Sequence, residues 1–182
     1  MTKPTTLAWM TCALLTVHGL AQAQSGPPVS DDRAGPGRPV EITPYAMLGS
    51  GNASGVGAAV RWPVAARLGI ELETELTRAQ ITAVNVALSL VYDLPTIGRV
   101  TPYVAAGVGL ERYGKAYYRP NGPPLLGADT GIALNAGGGI RVPVTDQWGF
   151  RTDARWRTNT GRGAGDQWRI FNGATIGVGG KR

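Results

Sequence analysis

Arg67-Leu68-Gly69-Ile70-Glu71-Leu72-Glu73-Thr74-Glu75-Leu76-Thr77-Arg78, then Ala79-Gln80, then Ile81-Thr82-Ala83-Val84-Asn85-Val86-Ala87-Leu88-Ser89-Leu90-Val91-Tyr92: the reading of this stretch decides the fold. Both halves alternate. In the first, Ile70, Leu72, Thr74 and Leu76 share a face, with Glu71, Glu73 and Glu75 on the other. In the second, Val84, Val86, Leu88, Leu90 and Tyr92 oppose Ala83, Asn85, Ala87 and Ser89. A period of two is the signature of a strand, and on a helix the three glutamates would not share one face. The spacing predicts two antiparallel strands joined by a tight connection near Thr77–Gln80. Each has the roughly 9–11 residues that a tilted strand needs to cross a bilayer.

Composition agrees with an all-β chain. Glycine supplies 27 of 182 residues, well above the usual level of about 7%. Charged residues are only 16% and hydrophobic ones 43%, so the chain reads neither as disordered nor as having an ordinary soluble surface. The formal charge is +6. Most of the basic residues are single arginines inside alternating segments, without a basic run, so nucleic acid is not an expected partner.

The first 23 residues read as a secretory leader. Lys3 starts it, Leu7–Leu20 is a short apolar run, and Ala21-Gln22-Ala23 is a small-x-small cleavage pattern, placing the mature start at Gln24. The run is shorter than the roughly 20 residues a spanning helix needs. Trp9-Met10-Thr11 before Cys12 is a poor match to a lipid-attachment site. Cleavage would remove Cys12 and His18, which are the single cysteine and the single histidine of the chain. What remains has no disulfide framework, no cysteine–histidine metal cluster and no histidine base for a catalytic triad. No cofactor or metal site is expected, and Asp129, Asp153 and Asp166 form no dyad by spacing.

Residues 24–39 are rich in Pro, Gly, Ser and Asp and read as a flexible lead-in to a barrel over 40–182. Around the opening hairpin, six further segments alternate: Val40–Gly49, Gly55–Trp62, Val100–Arg112, Thr130–Val142, Trp148–Arg157 and Gln167–Gly179. Turns are expected at Ser50–Ser54, Pro63–Ala66, Asp93–Arg99, Pro143–Gln147 and Thr158–Gly165. Tyr113–Asp129, with Pro120, Pro123 and Pro124, reads as the longest irregular loop. No repeat beyond the hairpin rhythm stands out. Eight strands with hairpin turns give an eight-stranded antiparallel up-and-down barrel.

The two faces decide what surrounds it. One face is Val, Leu, Ile and Trp along nearly every strand; the other mixes Gly, Ala, Asn and Ser with Glu and Arg. A soluble barrel puts its large apolar residues inside. Glycines and ions suit the inside of an eight-stranded bore, which is just wide enough for side chains to fill, with the apolar face toward lipid. Trp62, Tyr92, Trp148 and Trp168 near strand ends then form an interfacial girdle. Enclosed charges need partners. Glu71, Glu73 and Glu75 are expected to pair in the bore with Arg151, Arg155 and Arg157, which share their strand face with Asp153; Arg61 and Arg141 are available too. A cation site or an acid–base pair is the alternative for the stacked glutamates, and structural pairing is preferred because buried charges that persist are usually paired.

Three segments carry a resemblance to a family. Pro63-Val64-Ala65-Ala66-Arg67-Leu68-Gly69-Ile70-Glu71 is similar to its first periplasmic turn and third strand, and Thr101-Pro102-Tyr103-Val104-Ala105-Ala106-Gly107-Val108-Gly109 to its fifth strand. Ala136–Thr145 with Trp148-Gly149-Phe150-Arg151 is similar to its sixth strand, turn and seventh strand. The family is the small outer-membrane β-barrel proteins of Gram-negative bacteria, of the eight-stranded opacity/OmpA-transmembrane type. The resemblance implies residence in the outer membrane, both termini periplasmic, and insertion by the barrel-assembly machinery. Members usually end on an aromatic; here the spacing around Gly173, Ile176 and Val178 is similar to that signal, and the last residues are Lys181-Arg182. A non-enzymatic structural or surface-interaction protein is expected, a monomer in contact with outer-membrane lipids and lipopolysaccharide. Lys115, Tyr117, Tyr118 and Arg119 are the candidate contacts to lipopolysaccharide phosphates or a sugar. The alternatives are a small porin-like channel and a soluble periplasmic binding barrel.

Overall fold

The computed structural model describes residues 38–78, 82–119, 122–160 and 166–179. The expected leader and most of the lead-in lie outside them. Eight strands follow one another: β1 (Val40–Gly49), β2 (Ala53–Pro63), β3 (Leu68–Arg78), β4 (Thr82–Asp93), β5 (Thr101–Arg119), β6 (Gly122–Pro143), β7 (Trp148–Asn159) and β8 (Gln167–Val178). Each pairs antiparallel with its sequence neighbour, and β1 pairs with β8, closing the barrel. Following paired residues once around, Gly139, Asp153, Phe171, Met47, Gly55, Thr77, Ala83 and Tyr113 lead back to β6 at Asp129, ten residues from the start. With strands about 4.8 Å apart rising about 3.3 Å per residue, that stagger corresponds to a tilt of about 40°.

The alternation places side chains as expected. Leu48 and Trp168 on the outer wall are 62% and 61% exposed, whereas Glu71 and Met47 inside are 0% and 1% exposed. Trp62, Tyr92 and Trp148 mark the end of the barrel that carries the short turns, and Trp168, cross-strand from Trp156, marks the other.

Inside, large residues lie opposite absent ones. Tyr45 pairs with Gly57 on one side and Gly173 on the other, and a Cβ added at Gly57 would fall 2.5 Å from the Tyr45 ring. Tyr103 likewise faces Gly139, whose missing Cβ leaves room for Asp153. The Tyr45 ring meets Phe171 edge-on at 5.1 Å, so part of the bore is aromatic rather than ionic.

Two short turns share one geometry. Val64 N and Ala65 N both donate to Leu68 O, at 2.9 and 3.0 Å, and Val144 N and Thr145 N both donate to Trp148 O, at 3.0 Å each. Their sequences match at Arg61/Arg141, Pro63/Pro143, Val64/Val144 and Gly69/Gly149, a local correspondence that the hairpin rhythm alone conceals.

Several expected boundaries change: Ala53 and Ser54, expected as turn, pair with Gly49 and Leu48, and Asp93 belongs to β4. Thr77 and Arg78 are paired with Ala83 and Thr82, so that reversal falls within 79–81, outside the described residues. β7 runs on through Thr158 to Asn159. The largest correction is Tyr113–Asp129, expected as an irregular loop: the ladder continues from Tyr113↔Asp129 to Arg119↔Gly122, with a register shift between Tyr117 and Arg119. Among the described residues β5 pairs with β4 no further than Ala83↔Tyr113 and β6 with β7 no further than Ala133↔Asn159, with Thr160 still bonded to Ile132; past these, β5 and β6 pair with each other. Pro123 and Pro124 fall in the gap of the ladder between Leu125 and Gly122, at the register shift, where no pair with β5 is formed, so they do not end the strand.

Candidate functional site in the barrel bore

β3 and β7 are four strands apart in a ring of eight, hence on opposite sides of the bore. Alternation turns Glu71, Glu73 and Glu75 inward from one side and Arg151, Asp153, Arg155 and Arg157 inward from the other. The structure brings all of these together with Arg61 and Arg141, in three tiers.

The tier at the turn end joins four groups. Glu41 accepts from Arg61 at 3.3 Å and from Arg141 at 2.7 Å. Asp93 accepts from Arg61 at 2.8 Å and also from Arg141. Arg38 stands 3.6 Å from Asp93 at the mouth, where an opening of about 320 Å³ leads out past Thr101 and Gln147.

The middle tier centres on Glu71. Arg151 grips it with both terminal nitrogens, Nη1 to Oε2 and Nη2 to Oε1. Arg155 Nη2 donates to the same Oε1 at 2.7 Å, and its Nη1 donates to Glu73 at 3.0 Å. Asp153 lies between the two guanidinium groups, 2.8 Å from Arg151 and 3.1 Å from Arg155. Tyr103 completes the set: its hydroxyl donates to Asp153 at 2.5 Å and accepts from Arg151 Nε at 2.7 Å. Planar forks on carboxylates are the strong form of this interaction. Beside this tier a cavity of about 10 Å³, lined by Thr43, Tyr45 and Phe171 among others, holds room for about one water.

The third tier is looser. Arg157 stands 3.8, 3.9 and 3.7 Å from Glu73, Glu75 and Glu111, and its one close bond goes to Asn85 Oδ1 at 3.0 Å. Among the described residues neither its Nη1 nor Glu75 Oε2 makes a hydrogen bond. Arg169 supports the tier, donating to Glu75, to Glu111 at 3.2 Å and to Gln167 at 3.0 Å. Asn159 caps Glu111 at 2.8 Å.

Five charged members escape the sequence reading: Arg38, which falls in the expected lead-in, and Glu41, Asp93, Glu111 and Arg169. Glu111 is in phase with Tyr103 and Ala105, and Arg169 alternates with Trp168 and Ile170, so the period-two pattern could have found both. Asp93 stands two residues before Pro95 and reads as turn. Glu41 opens β1, where phase is shortest. Among the described residues, seven carboxylates (Glu41, Glu71, Glu73, Glu75, Asp93, Glu111, Asp153) meet seven guanidinium groups (Arg38, Arg61, Arg141, Arg151, Arg155, Arg157, Arg169). Such a balanced lattice supplies pairing across the bore. Lys115, Tyr117, Tyr118 and Arg119 have their backbone on the β5 overhang, away from the tiers; their side chains lie outside the described residues.

No protein-family model matches the chain, and no curated protein matches it by sequence. Solved structures do match. The N-terminal β-barrel domain of Pseudomonas aeruginosa OprF aligns with a TM-score of 0.61 at 16% identity, over 78% of this chain and 98% of that one. Neisserial surface protein A (NspA) aligns with a TM-score of 0.56 at 16% identity, over 76% and 96%. The outer membrane enzyme PagL aligns with a TM-score of 0.50 at 10% identity, over 76% and 99%. Identities this low speak to the backbone and leave activity aside. What the chain shares with these outer-membrane proteins is the fold: a closed eight-stranded antiparallel barrel.

Proposed function

We propose that this chain is an integral outer-membrane barrel of the small eight-stranded kind, its bore plugged by its own ion pairs, with a structural or surface-interaction role and no catalysis. The observation that carries the reading is the inversion of the barrel. Aliphatic residues and tryptophan cover the outside, while the buried residues include Glu71, Glu73, Glu75, Arg151, Arg155 and Arg169. In water that arrangement would leave apolar surface wetted on every side and would bury ions at cost; in lipid both terms change sign. Closure supports it as well, because a closed barrel leaves no edge unpaired in hydrocarbon. The expected leader brings the chain to the assembly machinery, and the turn end then faces the periplasm.

The plug rests on the middle tier, where side chains from β3, β5 and β7 meet across the bore. The interaction surface is the β5–β6 overhang, whose Lys115 and Arg119 stand among Tyr117 and Tyr118 for contact with lipopolysaccharide phosphates. The first test is extraction and heat-modified gel mobility. The chain should leave the envelope only with detergent and migrate differently before and after boiling; release without detergent would contradict the reading. Planar-bilayer recording tests the plug, and a defined open state would overturn it. Replacing Lys115 and Arg119 with Ala should weaken lipopolysaccharide binding, and unchanged affinity would remove the overhang from that role.

A further inference from the structure

One place on the outer wall does not suit lipid. Asn172 lies on the same face of β8 as Trp168, Ile170 and Ile176, and it is exposed. It stands four residues from Trp168 at one rim and four from Ile176, which pairs with Trp148 at the other. On the membrane reading above, on which this inference rests, that is the middle of the hydrocarbon. Among the described residues nothing hydrogen-bonds its carboxamide. Its cross-strand neighbours are Thr152 on β7 and Ala46 on β1, and Ala154 and Ala174 flank them on the same face.

A second observation falls nearby. The β1–β8 ladder pairs Ile42 with Ile176 and resumes at Tyr45 with Gly173, omitting Thr43 and Pro44. Pro44 has no N–H to donate, and the hydroxyls of Thr43 and Thr175 meet at 3.0 Å on the inside instead. The ladder is therefore interrupted two residues along β8 from the bare amide, whose own pair Ala46↔Asn172 is intact.

We propose that two copies of this chain associate through this patch, with the Asn172 carboxamides pairing across a two-fold axis, in place of the monomer expected from sequence. An acyl chain offers no hydrogen bond and a headgroup does not reach mid-membrane, so lipid leaves the amide unsatisfied. A carboxamide carries a donor and an acceptor side by side. Two of them related by a two-fold axis satisfy each other, which is the self-complementarity that an isologous dimer requires. The small side chains of Ala46, Thr152, Ala154 and Ala174 let the walls approach closely, as small residues do at contacts within membranes.

The test is single-molecule photobleaching of the labelled full chain in phosphatidylcholine vesicles, over a range of protein-to-lipid ratios. Wild type should show paired bleaching steps that dilute out. Asn172→Leu, checked for heat-modified mobility, should need about tenfold more protein per lipid to reach the same dimer fraction. Leu88→Ala on the far wall should behave as wild type. Under oxidation, Asn172→Cys should form a disulfide-linked dimer and Leu88→Cys should not. An inserted wild type that is monomeric at every ratio overturns the dimer, as does an Asn172→Leu variant that pairs like wild type; both leave the membrane assignment standing. Failure of wild type to enter vesicles would strike that assignment itself.

Discussion

The wall and the bore of this barrel come from alternate residues of the same strands, yet they are held by opposite kinds of force. On β3, Leu72 and Leu76 face outward among other aliphatic side chains, while Glu71, Glu73 and Glu75, which alternate with the outward residues, are buried against arginines from β7 and β8. The wall is non-directional: any apolar side chain of similar size serves a hydrocarbon surroundings. The bore is directional, because each guanidinium must find a carboxylate at the right distance and angle. A substitution in the wall should therefore be judged by its polarity, and one in the bore by what it leaves unpaired.

The largest expected effect is in the bore. Glu71 accepts from two arginines at once, so Glu71→Gln should lower the unfolding free energy by about 3–5 kcal/mol, the range for breaking a buried ion pair. Urea unfolding in vesicles measures it, and a loss below about 1 kcal/mol would show that the middle tier does not dominate. Next comes the wall. Leu88→Arg should cost about 2–4 kcal/mol by the same assay, since it sets a charge against hydrocarbon near mid-span; the same change tolerated without loss would mean that Leu88 does not face lipid. Tyr103→Phe should cost about 1–2 kcal/mol, because it deletes a hydroxyl that both donates to Asp153 and accepts from Arg151. Smallest is Arg157→Met. Its carboxylates stand 3.7–3.9 Å away and each keeps a nearer arginine, so the change should cost about 1 kcal/mol, the worth of the lost bond to Asn85. A loss as large as that of Glu71→Gln would erase the distinction between the tight and loose tiers.

Much of this was legible from residue order because a strand has period two and a wrong phase flips every side chain. Once Leu88 and Asn85 were assigned to opposite faces, the wall and most of the bore followed. Glu71, Glu73 and Glu75 could be expected to meet Arg151, Arg155 and Arg157 as a group, without a partner fixed for each. What sequence did not supply was rank. Nothing in the spacing distinguishes Arg151, which grips Glu71 with two nitrogens, from Arg157, which stands off three carboxylates. Glu41 and Asp93 were hidden at strand ends, where phase is counted over too few residues. Pro120, Pro123 and Pro124 suggested a loop in Tyr113–Asp129, since proline is read as a breaker of interior strands; Pro123 and Pro124 sit at the register shift of the β5–β6 ladder, where no pair is formed, and Pro120 lies outside the described residues. Asn172 was in phase with the apolar face of β8, but a single polar residue there carries no periodic signal.

The account rests on which way the faces point, and nitroxide labels in vesicles test that directly. A label at Leu88 should collide freely with dissolved oxygen and little with a water-soluble nickel reagent, and one at Asn85 should be shielded from both. A shielded Leu88 with an oxygen-accessible Asn85 would contradict it.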